Sequence, residues 1–412
     1  MISFSLYNCV ISIVVTVCSF YWIKEVHIIE KKILYLFIAC FYFLFCGFTS
    51  FLFDCGNYIT YYSIYTFFLG FTLCYSRDIS FKVDFIRKED FICFVEKYAK
   101  YYLVFYFVYQ FLGLIYPENR LINLFVLRAP QARDALESSL EHTVGDSIGY
   151  LNTIFFYIAL SAYIKKPWKI IFLMFFNMYL GYANSSYISR GGILRLFVVI
   201  FLFLYINLPH KRKLIIVLAT ILSFFSVIFF IGYMYLRMGG EFVIVDFSFA
   251  FQKIAEIELS FAANFDEVLK FSNDEFLRYL WWFISMPLPG FLKFGTADIA
   301  INQGYTENIM GMSSFDDNFY IMLPGLAIEG VYMFRGMYFF HAILYGMVVN
   351  LFYNTLFKSP VFYVYCIFNI INIPFVSIRG GTQMFYSTTN KLIIIVLIIC
   401  FILFKIQKKP IK

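Results

Sequence analysis

The sequence predicts an all-α polytopic membrane protein: about eleven transmembrane helices, of a GT-C-like arrangement, with one large loop on the outer face. Three observations predict this class. Of 412 residues, 61% are hydrophobic and only 14% charged, whereas a soluble domain is nearer half apolar and a quarter charged. Apolar runs long enough to cross a bilayer recur along the whole chain. Lysine and arginine gather in the short loops of one side. Residues 1–412 therefore read as a single integral membrane domain.

Apolar stretches near 3–23, 33–53, 59–75, 101–116, 148–164, 170–186, 192–208, 214–235, 336–357, 360–378 and 391–406 each approach the roughly 20 residues that a span needs. The first run lacks a basic leader and a small-residue cleavage site, so it is read as a retained helix. A further stretch, 319–334 "FYIMLPGLAIEGVYMF", is apolar but holds Pro324, Gly325, Glu329 and Gly330. It reads either as a span or as a re-entrant segment.

Charge decides the orientation. The segments 24–32, 76–100, 165–169, 209–213, Lys358 and 405–412 together hold 20 basic and 7 acidic residues. The segments 54–58, 117–147, 183–191, 236–335 and 379–391 hold 12 basic and 19 acidic residues. The basic side is expected to be cytoplasmic. A full crossing by 319–334 would put the basic tail "KIQKKPIK" outside, so eleven spans with that stretch re-entrant fit better. The outer face then carries two long loops: a first periplasmic loop, 117–147, and a large one, 236–335. The expected location is a bacterial inner membrane, with the C-terminus cytoplasmic and the active face periplasmic.

Arginines stand at particular points of this acidic face: Arg120, Arg128, Arg133, Arg190, Arg237, Arg278 and Arg379. A planar guanidinium binds phosphate through two parallel hydrogen bonds and keeps its charge at any working pH. In "SRGGIL" Arg190 precedes Gly191 and Gly192, and in "SIRGGTQ" Arg379 precedes Gly380 and Gly381. Glycine leaves the backbone open to close approach by a ligand. An arginine at the outer edge of the bilayer suits a lipid-linked phosphate or pyrophosphate, and two lipid pyrophosphates held on one face would give Arg379 a second phosphate site. A terminal arginine can equally do no more than anchor its helix at the interface. Arg195 lies more than a turn inside its span, where it calls for a polar cavity or an ion-pair partner.

The large loop begins with "FSFAFQKIAEIELSFAANFDEVLKF" (247–271). Phe251, Ile254, Ile257, Phe261, Phe265 and Val268 fall at helical spacing, which predicts an amphipathic helix on the membrane or over a cavity. "YLWWFISMPLPGF" then offers Trp281 and Trp282 for the aromatic belt, and prolines that end regular structure. Asp316, Asp317 and Asn318 stand just before the re-entrant stretch. An aspartate there can take a proton from a hydroxyl, or it can serve as a helix N-cap.

Other chemistries find little support. The nine cysteines show no C-x-x-C spacing and most sit in apolar runs, which argues against zinc and against a disulfide framework. The histidines do not cluster, so no metal site and no cofactor is expected. Neither a phosphate-binding glycine loop ending in Lys-Ser/Thr nor a G-x-S-x-G elbow occurs. The inner-loop basic residues are what topology requires, and they do not point to nucleic acid.

Several of these segments resemble a family. "SRGG" opening a mid-chain helix, a basic hairpin after it, "YLRMGGEF" after the next span, an outer loop with "MPLPGF", and "DN" followed by "LPGL" and "EGVY" are similar to bacterial O-antigen polymerases (the Wzy family). That family lies within the oligosaccharide repeat-unit polymerase and O-antigen ligase superfamily. The resemblance covers the architecture of the whole chain, with motif matches in about its second half. It implies a glycosyltransferase without nucleotide sugar or metal, whose donor is a growing glycan on undecaprenyl pyrophosphate and whose acceptor is one lipid-linked repeat unit. The implied partners are those lipid-linked oligosaccharides, membrane lipids and a chain-length regulator protein. Arg190 matches the helix-opening arginine of the family, and Arg237 the arginine after the span before the loop. Ligases carry a His-Asn pair where this chain has Asp317-Asn318, which disfavours a ligase. Arg379 matches no family motif.

Two other classes compete. A flippase for the same lipid-linked unit also needs arginines, but such transporters often show repeated halves, which this sequence lacks. A membrane acyltransferase needs a catalytic histidine with an acid beside it, and His341 is the candidate.

Overall fold

The structure is a computed structural model. It describes residues 65–72, 79–115, 143–185, 190–237, 243–250, 301–311, 325–370 and 391–407, with isolated positions at 6, 7, 9–11, 13, 14, 17, 21, 32, 52, 63, 252, 268, 270, 277, 280, 281 and 285. Among these residues every long regular element is a helix, and there is no strand. In chain order the helices are α1 (65–72), α2 (Glu89–Ile115), α3 (Thr143–Ser161), α4 (Pro167–Ser185), α5 (Arg190–Asn207), α6 (Arg212–Arg237), α7 (Ile301–Met310), α8 (Gly325–Phe334), α9 (Tyr338–Phe357), α10 (Tyr363–Ile370) and α11 (Lys391–Gln407). The all-α class read from the sequence is what the fold shows. Two compact units divide the chain, one of 1–82, 255–355 and 372–403, the other of 83–254, 356–371 and 404–412.

In the second unit α2 runs twelve residues further toward its N-terminus than the apolar stretch 101–116 predicts. The extension is amphipathic. Phe91, Val95, Ala99 and Leu103 recur every fourth residue and are buried, while Glu89 and Asp90 precede them and Glu96, Lys97 and Lys100 fall between them. Helix α3 packs between α2 and α10. Its second half is apolar on every side, and Phe156, Tyr157, Ile158, Ala159 and Leu160 are all buried, as a central helix requires. Tyr157 stacks on Phe368 at 4.2 Å.

A polar seam joins α2 to its neighbours. Tyr102, Tyr106 and Gln110 succeed one another at four-residue steps. The Tyr102 hydroxyl donates to the Asn152 carbonyl oxygen at 3.0 Å, and the Tyr106 hydroxyl donates to Asn177 Oδ1 at 2.7 Å. Asn184 Nδ2 donates to the carbonyl oxygen and Oε1 of Gln110 at 3.3 and 3.2 Å. Such pairs hold helices together where apolar surface alone gives no preference.

Helices α5 and α6 form an antiparallel pair. The connection is one 3-10 turn, Pro209–Lys211, held by Leu208 N to Leu204 O (2.8 Å) and Lys211 N to Leu208 O (3.0 Å). Arg212 locks the turn: its Nε donates to the Tyr205 carbonyl at 3.1 Å and its guanidinium lies 5.1 Å from the Tyr205 ring. Beyond α6, Asp246 caps the start of the predicted 247–271 helix, accepting from Ser248 N and Phe249 N at 2.9 and 3.3 Å. Most of that helix lies outside the described residues.

In the first unit α1 crosses α9 at a contact made by two glycines. A Cβ on Gly70 would collide with the Ile343 carbonyl oxygen, and one on Gly346 with the Phe67 carbonyl oxygen. Backbone thus touches backbone in both directions, the close approach that small residues allow between membrane helices. Along α9 the buried ridge is His341, Tyr345, Val349 and Tyr353, and Phe67 of α1 meets Tyr345 at 5.2 Å.

The run Gly325–Phe357 is, by length and composition, the one described helical stretch long and apolar enough to cross a membrane. It is not straight. Arg335 adopts a left-handed φ of 50°, a 3-10 turn covers Arg335–Met337, and α8 and α9 meet at this corner. Twelve residues of straight helix would separate Glu329 from His341 by about 18 Å along the axis, yet their side chains approach to 4.0 Å. The ten residues of α8 rise only about 15 Å, half the bilayer core, and all ten are buried. The twenty residues of α9 rise about 30 Å.

Candidate functional site

Two places gather chemistry-bearing residues: the free end of the α5–α6 pair and the α8–α9 corner.

Arg190 is the first residue of α5, and Gly191 and Gly192 complete its first turn. Arg237 is the last residue of α6. Since the two helices are antiparallel, both arginines stand at the same end of the pair. Counting from the turn, α6 extends about eight residues past the level of Arg190, so Arg237 lies about 12 Å further along the axis. The side chains of Arg190, Arg195 and Arg237 are outside the described residues, so these three are placed by their backbone positions alone.

Helix electrostatics treats these arginines differently. A helix N-terminus bears partial positive charge and unpaired N–H groups, its C-terminus partial negative charge. Arg237 at a C-terminus is therefore stabilised by its own helix. Arg190 at an N-terminus is not, so helix stability gives no reason for a cation there. An anion bound at that end would satisfy the guanidinium and the open backbone N–H groups together. Gly191 and Gly192 add no side chain of their own over two of those groups. Arg195 falls in register with Val199 and Ile206, which are buried. It stands about 140° around the helix from Arg190. The two arginines of α5 thus do not share a face, and the sequence offered no way to see this before the helix start was fixed.

Asp316, Asp317, Asn318 and the triplet Arg379, Gly380 and Gly381 lie outside the described residues, as do Arg120, Arg128, Arg133 and Arg278. Among the described residues no three of His, Cys, Asp and Glu come together as a metal site would need.

Sequence reasoning noticed Glu329 and His341 separately and did not pair them. In the structure Glu329 Oε1 stands 4.0 Å from His341 Nε2, and both side chains are wholly buried. Phe334 stacks on the imidazole at 5.0 Å. A Cβ on Gly330 would lie 3.2 Å from Tyr338 Cβ and 3.3 Å from His341 Cδ2, so glycine here lets α9 come close. Helix α7 covers α8 from another side, with Asn308 Nδ2 donating to the Tyr332 hydroxyl at 3.0 Å. Its end is set by Gly311, left-handed at φ 65°. The signal for the pair was in the sequence: a Glu and a His each six residues from Arg335, with Gly336 beside it.

An acid beside His341 is what the acyltransferase reading calls for. A catalytic imidazole must also reach its substrate, and this one is covered on all sides. The pair is better read as part of the corner's construction.

Comparison with family models, with characterised proteins and with solved structures finds no match for this chain.

Proposed function

We propose that this protein polymerises lipid-linked oligosaccharide repeat units at the periplasmic face of a bacterial inner membrane, building O-antigen or a related surface polysaccharide. The observation that carries the reading is Arg190: a cation beside two glycines at the N-terminus of α5, at the same end of the helix pair as Arg237. That is a place for an anion of high charge, and a lipid pyrophosphate presents one at the membrane edge.

Membrane embedding is supported by the outward surfaces. On α6 exposed large apolar side chains run from Leu214 to Phe229, about 23 Å of helix axis. On α2 they run from Tyr101 to Ile115. Soluble surfaces rarely carry apolar patches of this extent; acyl chains suit them. The eleven-span topology, with 319–334 re-entrant and the C-terminus cytoplasmic, extends this reading to the remaining apolar stretches.

The charges define the reaction. A sugar hydroxyl of the incoming repeat unit attacks the anomeric carbon of the growing glycan. The bond from that carbon to the pyrophosphate oxygen breaks, and undecaprenyl pyrophosphate leaves with the electron pair. Arg190 and Arg237 stabilise the charge that builds on the leaving group, an interaction that is strong where water is scarce. Asp317 or Asp316 accepts the hydroxyl proton. Arg379 serves the second phosphate, and Arg195 is assigned to pyrophosphate binding by its place in α5 alone.

Deleting the gene and resolving the surface glycan on a gel tests the proposal. A polymerase loss leaves single capped repeats. A flippase loss leaves no repeat at all, and an unchanged ladder removes both readings.

A further inference from the structure

Phe247 stacks on Phe224, with ring centroids 4.6 Å apart and planes 16° apart. Phe224 is far from either end of α6. It stands thirteen residues before Arg237 and eleven after Lys213, about 20 Å and 17 Å along the axis. Two phenylalanine side chains are too short to bridge either distance. The chain that leaves α6 at Arg237 therefore comes back down beside it. Ten residues lead from Arg237 to Phe247, a reach of up to about 33 Å. The apolar run 214–236 rises about 33 Å, close to the thickness of a bilayer core, and Phe224 is near its middle. Phe224 also lies about 180° around α6 from Ile215 and Tyr233, both of them buried. The segment thus returns on the side of α6 away from its buried positions.

We propose that residues 243–250 re-enter the membrane beside α6 and line a water-filled cleft, open to the outer face, in which sugars of the lipid-linked unit lie below the head-group plane. The cleft rests on α6 crossing the membrane; its glycan occupant rests on the polymerase reading as well. Two observations call for water at this height. Residues 243–246 are not helical, and among the described residues Val243, Ile244 and Val245 make no backbone hydrogen bond. Ile244 is 81% exposed. Non-helical backbone at membrane depth is tolerated only where protein buries it or water lines it, and this stretch is not buried. Asp246 is exposed as well, and a carboxylate facing hydrocarbon is unfavourable. Both of its hydrogen bonds, from Ser248 N and Phe249 N, go to Oδ2. Oδ1 stays open to accept from water or from a sugar hydroxyl. The chain enters from the end of α6 that carries Arg237, so the cleft opens there.

Thiol pairs measure the depth, in a parent whose nine cysteines are replaced. A short thiol crosslinker should join Phe247→Cys to Phe224→Cys. It should not join Phe247→Cys to Leu236→Cys, about 18 Å further along α6. Trypsin cuts after Arg237, so the two peptides stay together only when crosslinked. Water is tested at the same height. Phe225 is 60% exposed and faces about 100° away from Phe224. A charged, membrane-impermeant thiosulfonate added from the outer face should modify Ser248→Cys at least tenfold faster than Phe225→Cys, with Val245→Cys as a second position on the segment. In cells the same modification should lower long-chain glycan about tenfold relative to the same variant before treatment, and reductant should restore it. No crosslink at Phe224→Cys overturns the re-entry, wherever Phe247→Cys reacts instead. Modification at 248 and 245 no faster than at 225 overturns the cleft. Chains that grow unchanged after full modification at both positions overturn the glycan occupant. If Arg190→Ala leaves chains intact, the polymerase reading has failed, and the crosslinks and modification rates still judge the cleft.

Discussion

Two of the described helix pairs that a three-residue 3-10 turn connects, α5–α6 and α8–α9, treat charge in opposite ways. In α5–α6 the basic residues other than Arg195 stand at the ends: His210, Lys211, Arg212 and Lys213 at the turn, Arg190 and Arg237 at the free end. The outward face of α6 is apolar for most of its length. In α8–α9 one arm is only ten residues long, a carboxylate and an imidazole are buried between the arms, and Arg335 at the turn is the sole Lys or Arg of the pair. The first pair keeps most of its charge away from its apolar middle, the pattern that a bilayer would select. The second has to justify buried polar groups, and residues with that burden are where function or its scaffolding is found.

The comparison can be broken at its strongest contact. Gly346→Leu should be the most damaging change in the second pair, because the added side chain meets the backbone of Phe67 and Phe71, which cannot swing aside. A loss of about 3 kcal/mol is expected, read as a lower midpoint of thermal unfolding in detergent and reduced protein in the membrane. A normal midpoint would mean that α1 and α9 do not cross there.

The first pair should respond in activity and not in folding. Arg190→Ala is expected to lower polymer about a hundredfold, the scale on which a lost charge-stabilising donor acts, while the protein accumulates normally. Arg190→Lys should recover little, since an ammonium cannot make the forked contact. Full polymer from the alanine variant would reduce Arg190 to a helix anchor. Arg379→Ala is expected to shorten chains by a smaller factor at unchanged protein level, and Gly380→Leu to do the same by filling the approach. Chains of normal length and amount in both would make "RGGTQ" a simple turn.

The smallest effect belongs to the seam. Tyr106→Phe removes the hydroxyl that donates to Asn177. It should cost about 0.6–1 kcal/mol, visible as a small drop in the unfolding midpoint with glycan chains unchanged. A large loss of chains would show that the seam touches substrate.

Much of the helical fold could be read in the sequence because long apolar stretches of this kind form helices. The stretch 192–208 became α5 at 190–207, and 214–235 became α6 at 212–237. What hydropathy averages away stayed hidden. The first twelve residues of α2 alternate charge with buried Phe91, Val95 and Ala99, so no apolar window finds them. The corner at Arg335 was invisible because a left-handed arginine leaves no mark on composition, and Gly336 marked the place only in retrospect. For the site, the end position of Arg190 was legible from its glycines. Its opposition to Arg195 was not, since that depends on helix phase. Glu329 and His341 could be paired only once the chain was known to bend between them.

The most direct measurement is reconstitution. A strain lacking the gene should accumulate the lipid-linked repeat unit, which can be extracted and supplied to the purified protein in liposomes. A polymerase would produce a ladder of lengthening glycans and release undecaprenyl pyrophosphate in proportion, with neither product from the Arg190→Ala protein. Repeat units that cross the liposome bilayer without growing would contradict it and make the protein a transporter.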